Sequence, residues 1–242
     1  MTKDKIILHW LKFSRSHRVL WLLEELNVPY ELKLYVRDKE YRAPPELRKI
    51  HPLGRSPVLE IYPDGSDTEE PVIVAETGYI MSYILENYNP EGKLVPASKK
   101  NQELVKYYLY YTEGSLQGLL VSLLVLSKTS ERAPWGTRTL AGLVAKGIAK
   151  GYYLPEAKSN LDFLEEQLSR QPGGYFAGDK LSAADIILSF PIYHNLFSDH
   201  KAASERVGQD ITKLYPHLNA WSKKIAAEPG LIKADEVIKT KL

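Results

Sequence analysis

Three short polar stretches carry the residues best suited to chemistry: Ser14-Arg15-Ser16, Arg55-Ser56-Pro57 and Glu76-Thr77. The first and the last fall where an apolar run gives way to a helical pattern. Their side chains therefore lie near free backbone N–H groups and the positive end of a helix dipole, a setting that suits an anion. Arg55 can add a forked pair of donors to a carboxylate. These stretches are suited to binding a charged small molecule.

The residue types that are missing exclude several other kinds of chemistry. The chain has no cysteine, so it can form no disulfide, no thiolate nucleophile and no cysteine-ligated zinc or iron–sulfur site. Its six histidines show no metal-ligand spacing such as His-x-x-x-His. We therefore predict no metal site.

The apolar pattern of the first ninety residues predicts the elements that position the three stretches. The predicted elements are a strand over 5–11, a helix over 18–26, strands over 29–35, 57–62 and 71–75, and a helix over 76–88. The first strand–helix–strand unit should have parallel outer strands. The next two strands are joined by a short polar turn at 64–67, which makes them antiparallel. The sheet should therefore be mixed.

Beyond residue 96 the pattern is helical throughout. The segment 89–96 contains two prolines and a glycine and is typical of a linker. Helical patterns follow over 99–128, 140–148, 156–170, 182–196 and 216–227. We predict an α/β N-terminal domain over 1–90, with the order βαβ then ββα, and an all-α C-terminal domain over 97–242.

Composition narrows the classes of partner. The 242 residues are 44% hydrophobic, and 32 Lys and Arg are scattered among 30 Asp and Glu to give a net charge of +2, so nucleic-acid binding is not indicated. No run of about 18 apolar residues predicts a membrane-spanning segment, and the N-terminus has no signal-peptide pattern. A cytoplasmic protein is the simplest interpretation. The last residues, Thr240-Lys241-Leu242, distantly resemble the peroxisomal Ser-Lys-Leu address, but such short matches are common by chance and an ordinary terminus is favoured.

Five motifs, in this order along the chain, resemble the soluble glutathione S-transferases, most of all their fungal and bacterial branches. The motifs that carry the resemblance lie at 14–26, 41–47, 51–59, 75–78 and 176–185. No one of them is decisive, but their order is specific and the resemblance covers essentially the whole chain. It implies a thioredoxin-like N-terminal domain, an all-helical C-terminal domain and glutathione as substrate rather than a cofactor.

The resemblance also implies roles in binding glutathione. It implies a cis Ser56-Pro57 bond, which turns the main chain of Ser56 toward the tripeptide. Thr77 should receive the γ-glutamyl carboxylate and Glu76 the ammonium group of the same moiety. Arg55 belongs to the same site. Tyr41 stands where related fungal proteins contact the glycine end, often with histidine.

The catalytic step implied is formation of the glutathione thiolate. A free thiol has a pKa near 8.5 and is only a few per cent ionised at pH 7. Ser14 matches the serine that favours the thiolate in serine-type members. Ser16 is the alternative, with helix N-capping as its favoured role, and a backbone amide or water is a third possibility. A tyrosine-type enzyme is not expected, since this turn contains no tyrosine.

The sequence says less about the second substrate and about the oligomeric state. Tyr107 and Tyr111, four residues apart on one helix, are candidates for an apolar acceptor pocket, although such a stripe is more often core or dimer interface. Asp185 fits a capping box and is assigned to folding. We expect a homodimeric transferase that conjugates glutathione to apolar electrophiles. A glutathione-dependent disulfide or peroxide reductase and a non-catalytic glutathione-binding regulator remain alternatives.

Overall fold

The N-terminal half is built on a four-stranded mixed sheet. The computed structural model describes residues 3–65 and 70–241. The strands are β1 (Lys5–Leu11), β2 (Glu31–Tyr35), β3 (Val58–Tyr62) and β4 (Val72–Ala75), in the spatial order β2-β1-β3-β4. β1 pairs parallel with β2, whereas β3 pairs antiparallel with both β1 and β4. The predicted mixed sheet is confirmed, and the predicted turn at 64–67 falls partly outside the described residues.

Three helices complete this half: α1 (Ser16–Glu25), α2 (Leu47–Ile50) and α3 (Thr77–Asn87). The run from Val19 to Leu23 in α1 has no solvent-exposed side chain. It is apolar on every face because α1 packs against α3 as well as against two helices of the C-terminal half. Helix α1 therefore belongs to the cores of both halves.

The C-terminal half is all helical, as predicted. Its helices are α4 (Lys99–Tyr111), α5 (Gly118–Arg132), α6 (Arg138–Ile148), α7 (Leu154–Ser169), α8 (Ala183–Leu188), α9 (His200–Val207), α10 (Ile211–Leu214), α11 (Pro216–Ile225) and α12 (Pro229–Lys241). Wider π-type turns at Thr112–Gln117, Ala149–Tyr153 and Ser189–Phe197 connect α4 to α5, α6 to α7 and extend α8. Thr240 and Lys241 lie in or at the end of α12, and Leu242 lies outside the described residues.

Helix α8 is fixed by the capping box that the sequence predicts. The buried Asp185 carboxylate accepts hydrogen bonds from the Phe176 and Ser182 backbone N–H groups at 2.9 and 3.0 Å. It also accepts from the Ser182 hydroxyl at 2.7 Å and the Trp221 indole N–H at 2.9 Å. Because these four donors belong to three residues from separate parts of the helical half, the assignment of Asp185 to folding is supported.

One helical run in the described part of the chain is long and apolar enough to match a membrane span. It is Lys99–Arg132, whose most apolar window has a mean hydropathy of 1.2 and is 22% buried. Its first half packs into the core through Val105, Tyr108 and Leu109. The run is therefore a helix of the folded domain, and its second half is the less buried part.

Candidate active site

The strand register brings the three polar stretches to one edge of the sheet. His9 in β1 lies opposite Val58, the first residue of β3, and Val58 in turn lies opposite Ala75, the last residue of β4. The turn after β1, the residues before β3 and the residues after β4 consequently meet at the same edge. Residues far apart in sequence thus converge through the antiparallel pairing of β3 with both neighbours.

Ser14 and Ser16 form a compact hydroxyl network after β1. Their Oγ atoms are 2.6 Å apart, and Ser14 Oγ also accepts the Ser16 backbone N–H at 3.2 Å. Ser16 Oγ accepts the Leu11 N–H at 3.1 Å and lies 3.3 Å from the Leu11 carbonyl. Both hydroxyls are buried. The network fixes Ser14 against both the end of β1 and the start of α1.

The predicted N-capping role of Ser16 is wrong. Ser16 is the first residue of α1, and Arg15 occupies the N-cap position without making a side-chain capping hydrogen bond. The Ser16 hydroxyl points back to β1 instead, because its bonds to Leu11 tie the strand end to the helix start. Ser14 is the residue whose oxygen receives a helix N–H.

The stretch before β3 brings the backbone of Ser56 and the exposed guanidinium of Arg55 to this edge of the sheet. Ser56-Pro57 is a cis peptide bond, as the resemblance implied. The Ser56 hydroxyl donates to the His9 carbonyl at 2.7 Å, so this side chain is used to hold the loop on β1. Arg55 is exposed next to it. Nearby His51 accepts the Leu53 N–H at 3.4 Å, a contact within its own turn.

Glu76 and Thr77 stand at the start of α3. Thr77 is the first helical residue and is buried, whereas Glu76 is exposed and has a positive φ of 69°. A non-glycine residue in this region costs about 1–3 kcal/mol, and such strain concentrates at ligand-binding sites. The strained backbone turns Glu76 out at the helix N-terminus, where unpaired N–H groups favour an anion.

Arg37, which the sequence did not single out, organises the loops beside Ser14. Its guanidinium donates to the carbonyls of Lys12 and Phe13 at 3.2 Å each and to that of Tyr41 at 2.9 Å. Phe13 and Tyr41 both have positive φ angles, of 54° and 61°, and both side chains are exposed. One arginine thus holds two strained, outward-facing aromatic residues at the rim of the site.

A second unpredicted residue, Glu113, joins the two halves of the chain behind the Ser14 turn. Its carboxylate lies 2.7 Å from Arg15 Nη1 and 2.6 Å from Arg18 Nη2. Arg18 is fully buried and also donates to the Ile187 carbonyl at 2.8 Å. Burial lowers the pKa of Arg18 to about 10, which leaves it charged at neutral pH. Glu113 therefore holds the start of α1 against the helical half.

Tyr107 and Tyr111 pack within the helical half. Their rings stack on each other with centroids 5.6 Å apart, and both pack against Phe163 of α7. The Tyr111 hydroxyl donates to Asn160 at 2.6 Å. Glu113, which faces the Ser14 turn, follows Tyr111 by about 200° around a helix. This placement favours a packing role over an acceptor pocket.

Among residues 3–65 and 70–241, no group of three His, Asp or Glu side chains could hold a metal ion.

Comparison with known proteins identifies the family. Residues 13–87 match the family model of the glutathione S-transferase N-terminal domain, and residues 147–229 match that of the C-terminal domain. The chain is 40% identical to glutathione S-transferase 1 of Saccharomyces cerevisiae over 237 residues, which span 98% of this chain and 96% of the yeast protein. The chain belongs to the glutathione S-transferase family. This transferase is also 32% identical to glutathione S-transferase 3 of Schizosaccharomyces pombe, over 93% of this chain and 84% of that protein.

Solved structures support the same family for this glutathione S-transferase. A glutathione S-transferase from Actinobacillus pleuropneumoniae is 30% identical with a TM-score of 0.69, covering 96% of this chain and 91% of the other. A glutathione transferase from Phanerochaete chrysosporium, solved with oxidized glutathione, is 24% identical with a TM-score of 0.67. The match covers 100% of this chain and 97% of the other. The second match shows the fold alone.

Proposed function

We propose that this transferase binds reduced glutathione at the shared sheet edge and conjugates its sulfur to apolar electrophiles. The observation that carries the proposal is the meeting of the Ser14 turn, Ser56 and Glu76-Thr77 at that edge. The structural relative from Phanerochaete chrysosporium was solved with oxidized glutathione, two glutathione tripeptides joined by a disulfide, which supports glutathione as the class of ligand here. No cofactor or metal is needed for this reaction, since glutathione is itself the substrate.

The charged ends of glutathione have complementary partners at this edge. The start of α3 offers N–H groups and the Thr77 side chain for the γ-glutamyl carboxylate, and exposed Glu76 suits the ammonium group. Arg55 can reach a carboxylate. The main chain of Ser56 is available to pair with the cysteinyl backbone in strand fashion. Tyr41, on the loop held by Arg37, is our candidate for contacting the glycine end.

Ser14 is the residue that we assign to thiolate formation. Ser14 Oγ accepts the Ser16 N–H, and we propose that with glutathione bound the Ser16 hydroxyl donates across the 2.6 Å contact to Ser14 Oγ rather than to the Leu11 carbonyl. With two bonds accepted, its own hydroxyl hydrogen is free to donate to the sulfur, and each accepted bond polarises that hydrogen further. A donor aimed at the sulfur lowers the thiol pKa, because it stabilises the anion and not the neutral thiol. Ser16 acts through Ser14 as a positioning residue.

The reaction itself follows from the thiolate. The thiol proton leaves to water, the sulfur lone pair attacks an electrophilic carbon, and a C–S bond forms as the leaving group departs with its electron pair. The Phe13 side chain, 77% exposed and next to Ser14, provides an apolar surface beside the sulfur. That surface supports an apolar electrophile more directly than Tyr107 and Tyr111 do.

Activity on two substrates separates the candidate functions. We expect turnover of a model aryl halide with glutathione to exceed turnover of a mixed glutathione disulfide. Because the chain has no cysteine, no covalent enzyme–glutathione disulfide can form, and intact-protein mass spectrometry after incubation with oxidised glutathione should detect no adduct. Dominant disulfide turnover would favour a reductase, and tight glutathione binding without either activity would favour a regulatory protein.

Removing either charged contact should weaken glutathione binding without unfolding the protein. Glu76→Ala and Arg55→Ala each leave one charged end of the ligand unpaired in a partly desolvated site, so we expect glutathione affinity to fall about tenfold or more. Isothermal calorimetry measures the change. Glu86→Ala, an exposed carboxylate on the same helix α3, is the matched control and should bind like the wild type. Wild-type affinity in both Glu76→Ala and Arg55→Ala would refute the site assignment.

We also propose a homodimer located in the cytoplasm, as expected of this family. Three exposed apolar side chains are candidates for contacts with the second subunit: Ile73 on β4, Tyr79 on α3 and Tyr110 on α4. Sedimentation equilibrium tests the dimer. Nothing in the relatives supports a peroxisomal address.

A further inference from the structure

The turn that leads from β1 to Ser14 is held by a side chain and not by a neighbouring strand. The Lys12 N–H still donates to the Tyr35 carbonyl of β2 at 2.9 Å. Beyond that bond, the carbonyls of Lys12 and Phe13 accept from the guanidinium of Arg37, at 3.2 Å each. Arg37 therefore replaces the strand as the partner of the chain just before Ser14.

The contact between Arg37 and Phe13 orients the backbone of Ser14. The Phe13 carbonyl belongs to the planar peptide unit that also contains the Ser14 nitrogen. Phe13 has a φ of 54°, a left-handed conformation that a bulky residue keeps only where its surroundings enforce it. Because the guanidinium fixes the plane of this peptide, it also fixes the direction in which Ser14 carries its hydroxyl.

The same guanidinium holds the Tyr41 loop, residues 38–42. The Asp38 carboxylate accepts two backbone N–H groups of this loop, at 2.9 and 2.8 Å, and the Tyr41 N–H donates to the Asp38 carbonyl at 3.0 Å. These bonds make the loop a single compact unit. Arg37 donates to the Tyr41 carbonyl at 2.9 Å, so one side chain joins the Tyr41 loop to the turn before Ser14.

The Tyr41 loop has a second attachment, to the helical half. Arg132, the last residue of α5, donates to the Glu40 carbonyl at 3.0 Å. This bond does not involve the turn before Ser14. Loss of the Arg37 bonds would therefore leave the loop attached to the helical half and separate it from Ser14.

We infer that Arg37 is a positioning residue that couples the glycine end of bound glutathione to the Ser14 hydroxyl. The inference rests on the proposed function, in which Tyr41 contacts the glycine end and Ser14 donates to the sulfur. A contact at Tyr41 steadies the loop and, through the guanidinium, the peptide between Phe13 and Ser14. The hydroxyl then stays aimed at the sulfur. Binding energy from the remote end of the substrate is thereby expressed in kcat more than in affinity.

Conjugation of an aryl halide to glutathione and to γ-glutamylcysteine, which lacks the glycine, measures this coupling. For the wild type we expect kcat with glutathione to be about tenfold or more above kcat with γ-glutamylcysteine, because a truncated substrate loses kcat when remote contacts act at the reacting centre. Arg37→Lys keeps the charge but offers one nitrogen to three carbonyls.

Arg37→Lys should lower kcat with glutathione about tenfold and bring the kcat values of the two substrates to within about twofold of each other. The Kd of glutathione, measured by calorimetry, should change less than about threefold, because the loop keeps its bond to Arg132 and the charged residues of the site are unaltered.

The matched control is Arg42→Lys, the same substitution within the Tyr41 loop. The Arg42 side chain pairs with Glu40 at 3.3 Å, and both side chains are exposed. This variant should keep the wild-type ratio of the two kcat values. Near-ultraviolet circular dichroism establishes that each variant is folded.

The ratio of the two kcat values distinguishes coupling from a merely structural role. A structural role of Arg37 would lower kcat for both substrates by the same factor, so a wild-type ratio in Arg37→Lys would overturn the inference. Equal kcat values for the two substrates in the wild type would overturn it as well, and would leave the proposed function intact. A wild type that does not conjugate glutathione would refute the proposed function and the inference with it.

Discussion

Replacing Ser14 with alanine should lower kcat for conjugation about a hundredfold, while glutathione affinity near neutral pH changes little. Loss of one preorganised donor to a developing or stabilised anion has effects of this size. The affinity is retained because the charged ends of the tripeptide are held elsewhere, by residues of the α3 start and by Arg55. Stopped-flow conjugation of an aryl halide and calorimetric binding of glutathione measure the two quantities separately.

Two further substitutions make the Ser14 result specific. Ser14→Thr keeps the hydroxyl and should retain much of the turnover, whereas Ser16→Ala removes the partner 2.6 Å from Ser14 Oγ and should give an intermediate loss. If Ser14→Ala turned over normally at about pH 6.5, well below the ordinary thiol pKa, the role would pass to Ser16 or to a backbone amide.

Replacing Glu113 with glutamine should destabilise the protein by about 3–5 kcal/mol, because it leaves the fully buried guanidinium of Arg18 without its counter-ion. The Arg15 contact adds less, since Arg15 is one-third exposed. Urea unfolding, followed by tryptophan fluorescence, measures the change in free energy of unfolding.

Glu103→Gln is the matched control for this substitution. Glu103 lies on the neighbouring helix α4, and its ion pair with Lys106 at 3.2 Å is exposed on both sides. Its loss should cost about 0–1 kcal/mol. A Glu113→Gln protein as stable as the Glu103→Gln protein would show that Glu113 does not join the two halves of the chain.

The parts of the fold that the sequence predicts are those fixed by local pattern. β1 and α1 follow from an apolar run and a helical repeat, and the antiparallel β3–β4 pair follows from a short connection. The resemblance to the glutathione S-transferases supplied the site residues. Ser14, Ser56 and Glu76 each lie at an element boundary, and the strand pairing brings those boundaries to one edge.

What the sequence could not supply depends on contacts between distant residues. Glu113 is 98 residues from Arg15, and no local pattern pairs them. The three backbone carbonyls that Arg37 contacts could not be predicted either, because every residue has a backbone carbonyl and the residue type does not show which ones accept a hydrogen bond. Tyr107 and Tyr111 share a helix face, as their spacing predicts, but spacing alone does not say that this face meets α7. Ser16 resembles an N-cap in sequence, yet its hydroxyl bonds to β1.

The pKa of the glutathione thiol in the binary complex tests the central claim most directly. Thiolate absorbance in the ultraviolet, titrated against pH for the wild type and for Ser14→Ala with glutathione bound, yields that pKa. We expect the wild-type value to lie at least about one unit below the free-thiol value near 8.5, and the Ser14→Ala value to return most of the way toward it. A wild-type value near 8.5, or the same lowered value in Ser14→Ala, would contradict the account.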